Sequence, residues 1–402
     1  SVPLWQIYLM LIYMDKSPLL RLPPLSLYVH IPWCVRKCPY CDFNSHEAGD
    51  ELDESAYVAA LMTDFDQELE LNPHRQLNSI FFGGGTPSLF SAESINNIIE
   101  VIRSKTSLAA DIEISLEANP GTVEQQKFAD YRSAGVNRLS LGIQSFNNDK
   151  LRRLGRIHDG KEAIKAIEAA YNAGFDNINL DLMFGLPGQS MAEAIDDVEL
   201  ACGFEPAHIS HYQLTIEANT YFHKHTPVLP VADLNWDMQQ HCHDSLNEHD
   251  YIQYEVSAFS KVNKQCQHNM NYWSFGDYIG IGTGAHGKLT DIKNSSIQRR
   301  WKHRQPTAYI KQAMLGDSCS GTDKLDQPDI LFEFLMNALR LRQGFSYELF
   351  QQRSGINTER LLEACKNIDP DLLVISETGL NTSPRGFDFL NDVLAGFLAS
   401  KK

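Results

Sequence analysis

Between residues 26 and 248, short apolar runs alternate with helix-period segments, and a glycine-rich or polar turn separates most runs from the helix that follows. Residues 26–31 read as a strand, and residues 55–71 as a helix with Tyr57, Val58, Leu61, Phe65 and Leu69 on one face. Residues 79–82, 112–116, 138–141, 177–183 and 208–215 read as the strands that follow. Between them fall helices at 91–102, 161–173 (stopped at Gly174) and 233–248. Thr122 with Gln125 reads as a capping box for a helix that Gly135 ends, and Ser190 with Glu193 as the cap of another. Such alternation implies a parallel sheet, because parallel neighbours need a crossover, usually a helix. The succession predicts an α/β chain built as a partial (β/α)6 barrel, with a doubly wound sheet as the alternative. Both place function at the carboxyl ends of the strands.

The first of those strand ends carries Cys34-Val35-Arg36-Lys37-Cys38-Pro39-Tyr40-Cys41. Thiolates are soft ligands that suit iron–sulfur clusters and zinc. Four would close a [4Fe–4S] cluster with protein alone; three leave one iron open to an outside ligand. A Cys3His zinc set using His30 or His46 is the alternative, and three free thiols in a turn are the third reading. Arg36 and Lys37 favour thiolate and a negative cluster. Cys202, Cys242, Cys266, Cys319 and Cys365 are scattered and read mostly as small buried residues, so the cysteines form no disulfide framework. A reducing cytoplasm fits. The formal charge of −16 argues against nucleic acid or an anionic membrane as the main partner.

Further strand ends carry polar groups. Gly83-Gly84-Gly85-Thr86-Pro87 follows the second strand, Glu117-Ala118-Asn119-Pro120 the third and Gly142-Ile143-Gln144-Ser145 the fourth. Asp181 lies in the fifth. Each alone has an ordinary reading as a tight turn or a solvated side chain. Their recurrence at one end of successive strands is hard to explain as packing.

The C-x3-C-x2-C spacing resembles that of radical S-adenosylmethionine (SAM) enzymes, whose fold is a partial (β/α)6 barrel. Tyr28-Val29-His30-Ile31-Pro32-Trp33-Cys34 and the Gly83–Pro87 run resemble the oxygen-independent coproporphyrinogen III oxidase family, from about Leu25 to the C-terminus. The resemblance implies a [4Fe–4S] cluster on Cys34, Cys38 and Cys41, whose open iron is chelated by SAM. It further implies that Tyr28, Gly84, Gly85, Thr86, Glu117, Gln144, Arg156 and Asp181 hold SAM. The oxidase has a further cysteine where this chain has Phe43. That departure, with His268-Asn269-Met270-Asn271-Tyr272-Trp273, resembles the haem-chaperone branch of the family. The branch implies haem as cargo, with His268 at the haem site, haem-accepting proteins as partners and an electron donor for the cluster. A homodimer stays open, as does Cys266 as the haem ligand. Oxidative decarboxylation of a porphyrinogen is the alternative function.

Residues 278–287 form a glycine-rich run that would let a large planar ligand approach. Gln298-Arg299-Arg300-Trp301-Lys302-His303-Arg304 is basic and reads as a solvated loop, with haem propionates or RNA as other counterparts. Residues 2–13 are apolar but too short for a membrane span of about 20 residues. Met14-Asp15-Lys16 resembles a natural start, so residues 1–13 are expected to be non-native within an extension at 1–24. The barrel is expected over 25–260, a haem-motif and glycine-rich connecting region over 261–315 and a linker over 316–328. Residues 329–402 are expected to form a winged-helix-like domain. Acidic side chains outnumber basic ones there, so DNA binding does not follow.

Overall fold

The computed structural model describes residues 19–49 and 53–399, the side chains of residues 122–125 and 399 excepted. The expected stretch 1–13 and the start at Met14 lie outside the described residues, as do the side chains of Thr122 and Gln125; the cap of that helix is Gly121 rather than the expected Thr122.

The main sheet contains β1 (Leu25–Ile31), β2 (Leu77–Gly84), β3 (Leu108–Ala118), β4 (Arg138–Gln144), β5 (Ile178–Phe184) and β6 (His208–Gln213). It continues with β7 (Ile252–Glu255), β8 (Ala258–Ser260), β9 (Asp277–Gly282), β10 (His286–Asp291), β11 (Ser296–Lys302) and β12 (Cys319–Lys324). The crossovers from β1 to β6 carry α1 (Glu54–Leu71), α2 (Ala92–Lys105), α3 (Thr122–Ala134), α4 (Gly160–Asn172) and α5 (Met191–Gly203). After β6 comes α6 (Ala232–Glu248), then α7 (Gln267–Trp273) and α8 (Pro306–Met314).

The strand order is β12-β11-β10-β9-β1-β2-β3-β4-β5-β6-β8-β7. From β1 to β6 the order never reverses, which separates a partial barrel from a doubly wound sheet. β1 has parallel neighbours on both sides, pairing Val29 with Phe82 of β2 and with Ile281 of β9. The sheet therefore runs on past the expected boundary at residue 260. Residues 261–315 supply three of its strands, and β12 falls inside the stretch expected as a linker. The physical reason is that the open edge of β1 needs a partner, and β9 provides it.

Side-chain alternation gives the sheet two unlike faces. Leu27, Val29, Ile80, Phe82, Ile114, Leu116, Leu139 and Leu141 belong to one apolar core with Tyr57, Phe65, Ile95 and Ile98 of α1 and α2. The intervening positions are polar: Ser26, Ser79, Glu113, Ser115, Arg138, Asn179 and His208 are all buried. Local signals set the helix ends. Ser91 caps α2, Gly135 ends α3 in the left-handed region at φ 106°, and Ser190 with Glu193 forms the capping box of α5.

The C-terminal unit has its own core around Phe334, Phe345, Phe350, Leu361 and Leu380, with Phe275 and Ile297 joining from the main sheet. Its α9 (Gln327–Ala338), α10 (Tyr347–Ser354) and α11 (Thr358–Cys365) precede a hairpin of Leu373–Ile375 and Gly379–Thr382, in winged-helix manner. Arg340 docks it on the barrel, donating to Glu255 at 2.9 Å and lying 4.4 Å over the Trp273 ring. Among the described residues no helix is long and apolar enough to cross a membrane.

The basic run 298–304 is not a solvated loop. Most of it is strand β11, and three of its cations meet buried or half-buried carboxylates: Arg299 pairs with Glu333, Arg300 with Glu68, and Lys302 with Asp64 and Glu68. A second buried group fixes β9. Asp277 accepts from Arg75 at 2.7 Å, Lys288 at 3.0 Å and the Thr290 hydroxyl at 2.8 Å. Burial alone would push this carboxyl up; Lys288 and Arg75 more than offset it and hold it below the usual range. Its stabilising contribution is therefore complete above the ordinary carboxylate range and lost as pH falls through its lowered value. Asp277→Ala, which leaves two cations uncompensated, is expected to cost about 3–5 kcal/mol in urea unfolding at neutral pH. Unchanged stability would remove this pair as the anchor of β9.

Candidate cluster and cofactor site

At the end of β1, Pro32 lacks a ladder donor, and the cysteine loop folds back on itself. His46 N–H donates to Pro32 O at 2.7 Å, Ala48 N–H to Cys34 O at 2.8 Å and Cys41 N–H to Cys38 O at 3.1 Å. Lys37 Nζ ties the loop internally through Phe43 O at 3.0 Å. Cys34, Cys38 and Cys41 line a cavity of about 600 Å³ at the strand ends. Burial pushes the Cys34 and Cys41 thiols up, and the neighbouring cysteines add to it. A cationic metal centre would relieve both effects. His30 is not available to a Cys3His zinc set. Its Nε2 donates to Asn44 O and its Nδ1 accepts from the Tyr28 hydroxyl, both at 3.0 Å. Among the described residues no three His, Cys, Asp or Glu side chains converge on one ion position. Three thiols spread around one roomy cavity fit a multi-iron cluster better than a single zinc ion.

Gly84, Gly85, Thr86, Glu117, Gln144, Arg156 and Asp181 line this same cavity. Gly84 has φ 120°, and a Cβ there would lie 2.6 Å from the His30 ring, so only glycine fits. A Cβ on Gly85 would meet Trp33 O at 2.6 Å. Gln144 is a non-glycine residue at φ 67°, held by the Tyr212 hydroxyl, which donates to its Oε1 at 2.7 Å. The turn after it is fixed by Asp197, which accepts from Ser145 Oγ at 2.6 Å and Phe146 N–H at 2.7 Å. Arg156 donates to Asn119 Oδ1 at 2.6 Å and Gly142 O at 2.8 Å, and approaches Cys38 Sγ at 3.6 Å. Its Nε is buried without a partner. Asn119, Tyr212, Ser140 and Ser210 also line the cavity and were not singled out in the sequence. Asn119 stands two residues after Glu117 in the same turn, which was the available signal.

Glu117 and Asp181 share the cavity with no cation in direct contact among the described residues. Burial, then the neighbouring Asp181, pushes the Glu117 carboxyl up to about 8. Burial also raises Asp181, against hydrogen bonds from Asn179 and Ser210. Such a pair favours a ligand bringing positive charge.

Tyr28 and His268 are placed differently. Tyr28 lines a second cavity, of about 680 Å³, that adjoins the first across Asp42, Phe43, Gly84 and Glu117. His268 is 1 % exposed and lines neither cavity. Ser79 Oγ, whose own proton goes to Ser26, accepts from His268 Nδ1, and the Tyr272 hydroxyl donates to Nε2, each at 2.9 Å. Burial, with Arg138 nearby, lowers its pKa to about 3, so the ring is neutral and both nitrogens are engaged. Cys266 is buried too; its thiol donates to Glu113, and burial pushes it up to about 12. Glu113 also accepts from the Gln267 and His268 N–H groups, placing a carboxylate at the start of α7.

Strands β1 to β6 and this constellation define a protein of the radical SAM class. The Radical SAM superfamily matches residues 28–201, and the HemN C-terminal domain matches residues 325–389. The chain is 46 % identical over 390 residues to Heme chaperone HemW of Haemophilus influenzae, covering 95 % of this chain and 100 % of the relative. Against Heme chaperone HemW of Escherichia coli the identity is 50 % over 326 residues, covering 81 % and 85 %. The structure of coproporphyrinogen III oxidase (HemN) from Escherichia coli matches with a TM-score of 0.79 at 21 % identity, over 98 % of this chain and 93 % of that one, a likeness of fold alone. The chain belongs to the HemW family of the radical SAM superfamily.

A cationic ligand beside Glu117 favours its ionised form, so binding below about pH 8 must expel a proton. Affinity for SAM is then expected to rise with pH up to that range and level off above it. Calorimetry in buffers of different ionisation enthalpy should show a proton released by wild type that Glu117→Gln does not release. Equal release from both would remove Glu117 from the site.

Proposed function

We propose that this chain is a haem chaperone that holds a [4Fe–4S] cluster on Cys34, Cys38 and Cys41, binds SAM beside it and carries haem to acceptor haem proteins. When bound, the cluster would supply one electron and an open iron site for SAM. Gly84, Gly85 and Thr86 leave room for backbone contact with the SAM amino-acid moiety. Glu117 and Asp181 take its positive charge or its ribose hydroxyls, Gln144 orients it and Arg156 takes its carboxylate. Tyr28 serves from the adjoining wall. The reading includes an electron donor for the cluster, a homodimeric form and a cytoplasmic setting.

The carrying observation is the cluster loop itself. Its cysteines face one cavity, while Asp42 and Phe43 line that cavity and a second, aromatic one beside it. Phe43 is 60 % exposed at this junction. It offers an apolar ring where the oxidase that this chain resembles has a further cysteine. His268 belongs to the haem site through Tyr272, whose ring it holds against the second cavity. The test loads the full-length protein with haem anaerobically and adds an apo-haem protein. Transfer of haem without conversion of coproporphyrinogen III, SAM and reductant being present, is the expected result. Formation of protoporphyrinogen would overturn the chaperone reading in favour of the decarboxylase.

A further inference from the structure

The second cavity is built mostly from elements that follow the barrel. Tyr272, Trp273 and Phe275 come from α7 and its end, Tyr278 from β9, His286 and Lys288 from β10, and Arg299 from β11, with Arg304 just beyond it. Its aromatic side is fixed. Tyr272 stands edge-on to Tyr278 with ring centres 4.5 Å apart, and His268 braces Tyr272 from below. Its size lies within the range of small-molecule and cofactor sites.

Most polar groups in this wall are already committed. Lys288 pairs with Asp277, and Arg299 is held by Glu333 and the Tyr278 hydroxyl. Two are not. His286 is exposed, stacks on its cross-strand partner Trp301 with ring centres 6.4 Å apart, and makes no ring-nitrogen hydrogen bond among the described residues. Arg304 is exposed and has no ion-pair partner among them. Partial desolvation of the ring, then Arg299 and Arg304 nearby, lower the His286 pKa and favour the neutral imidazole, which keeps a lone pair. Gly276 and Gly284, the latter at φ 70°, also line the cavity and leave its backbone open to a flat ligand.

We propose that this cavity is the haem site, that His286 rather than His268 supplies the axial nitrogen, and that Arg304 pairs with a propionate. The inference rests on the haem-chaperone reading above. A neutral imidazole donates its lone pair to iron with no proton to lose, and imidazole is a common axial ligand. His268 would first have to break two hydrogen bonds and leave a buried site. His286 has nothing to break. His268 is then a positioning residue, acting through Tyr272.

Ferric haem titrated into the anaerobic full-length protein tests this, read by the Soret band and electron paramagnetic resonance. Wild type is expected to show a histidine-ligated spectrum. His286→Ala, a change at an exposed position, should lose that signature and weaken binding by roughly tenfold or more; added imidazole should restore the signature. His268→Ala should keep the signature, at reduced affinity. Arg304→Gln should weaken haem but not its dimethyl ester, which lacks propionate charge. A His286→Ala protein with the wild-type spectrum and affinity would overturn the inference alone. Wild-type protein that binds no haem would overturn it together with the chaperone reading.

Discussion

Two hydrogen bonds of one buried imidazole hold the functional end of this molecule together. His30, near the end of β1, takes the Tyr28 hydroxyl on one nitrogen and gives the other to Asn44 O. The side chain of Asn44 in turn donates to Thr283 O at 3.0 Å and Arg304 O at 3.1 Å. The cysteine loop is thereby clamped to the turn between β9 and β10 and to the end of β11. Burial lowers the His30 pKa to about 4, so the neutral ring keeps one donor and one acceptor through the physiological range. Gly84 must lack a side chain for the ring to fit. Because of this clamp the two cavities share a rim, and a change at the cluster loop has a short mechanical path to the aromatic wall. A Tyr57 hydroxyl that donates to His30 O at 2.7 Å and accepts from Thr283 N–H at 2.9 Å braces the same joint from α1.

The polar inner face has a stability cost that a purely structural sheet would avoid. Most of it is satisfied: His208 is bonded to Asn179 and Tyr254, and Glu113 serves both Arg138 and the start of α7. Several of the exceptions lie at the cavity. Glu117 and Asp181 face each other's charge without a paired cation, Gln144 sits at positive φ, and Arg156 Nε is left without a partner. An uncompensated carboxylate pair, a strained Gln144 and an unpartnered guanidinium atom in one cavity mark it as a site kept ready for a ligand.

The cluster loop and the residues behind strands β2 to β5 were legible because each motif is local: the chemistry and the strand end that carries it are neighbours in sequence. What could not be read is what depends on distant partners. Nothing around Asp277 announces that its strand will lie against Leu25, since the cations that demand this pairing, Arg75 and Lys288, come from other elements. The basic run at 298–304 looked solvated because its counterions, Asp64, Glu68 and Glu333, sit on helices far along the chain. His268 drew attention through its motif, yet Ser79 and Tyr272 take both its nitrogens. His286 was hidden in a glycine run and gained meaning only when β10 brought it to the cavity that Tyr272 also lines.

The account depends most on a three-thiolate cluster whose remaining iron faces the Glu117–Arg156 cavity. Electron paramagnetic resonance of the reduced, anaerobically reconstituted protein, with iron and sulfide analysis, tests this directly. About four irons per chain and a spectrum that changes when SAM is added, and not after Cys38→Ser, are predicted. Zinc in place of iron, or a cluster spectrum indifferent to SAM, would contradict it.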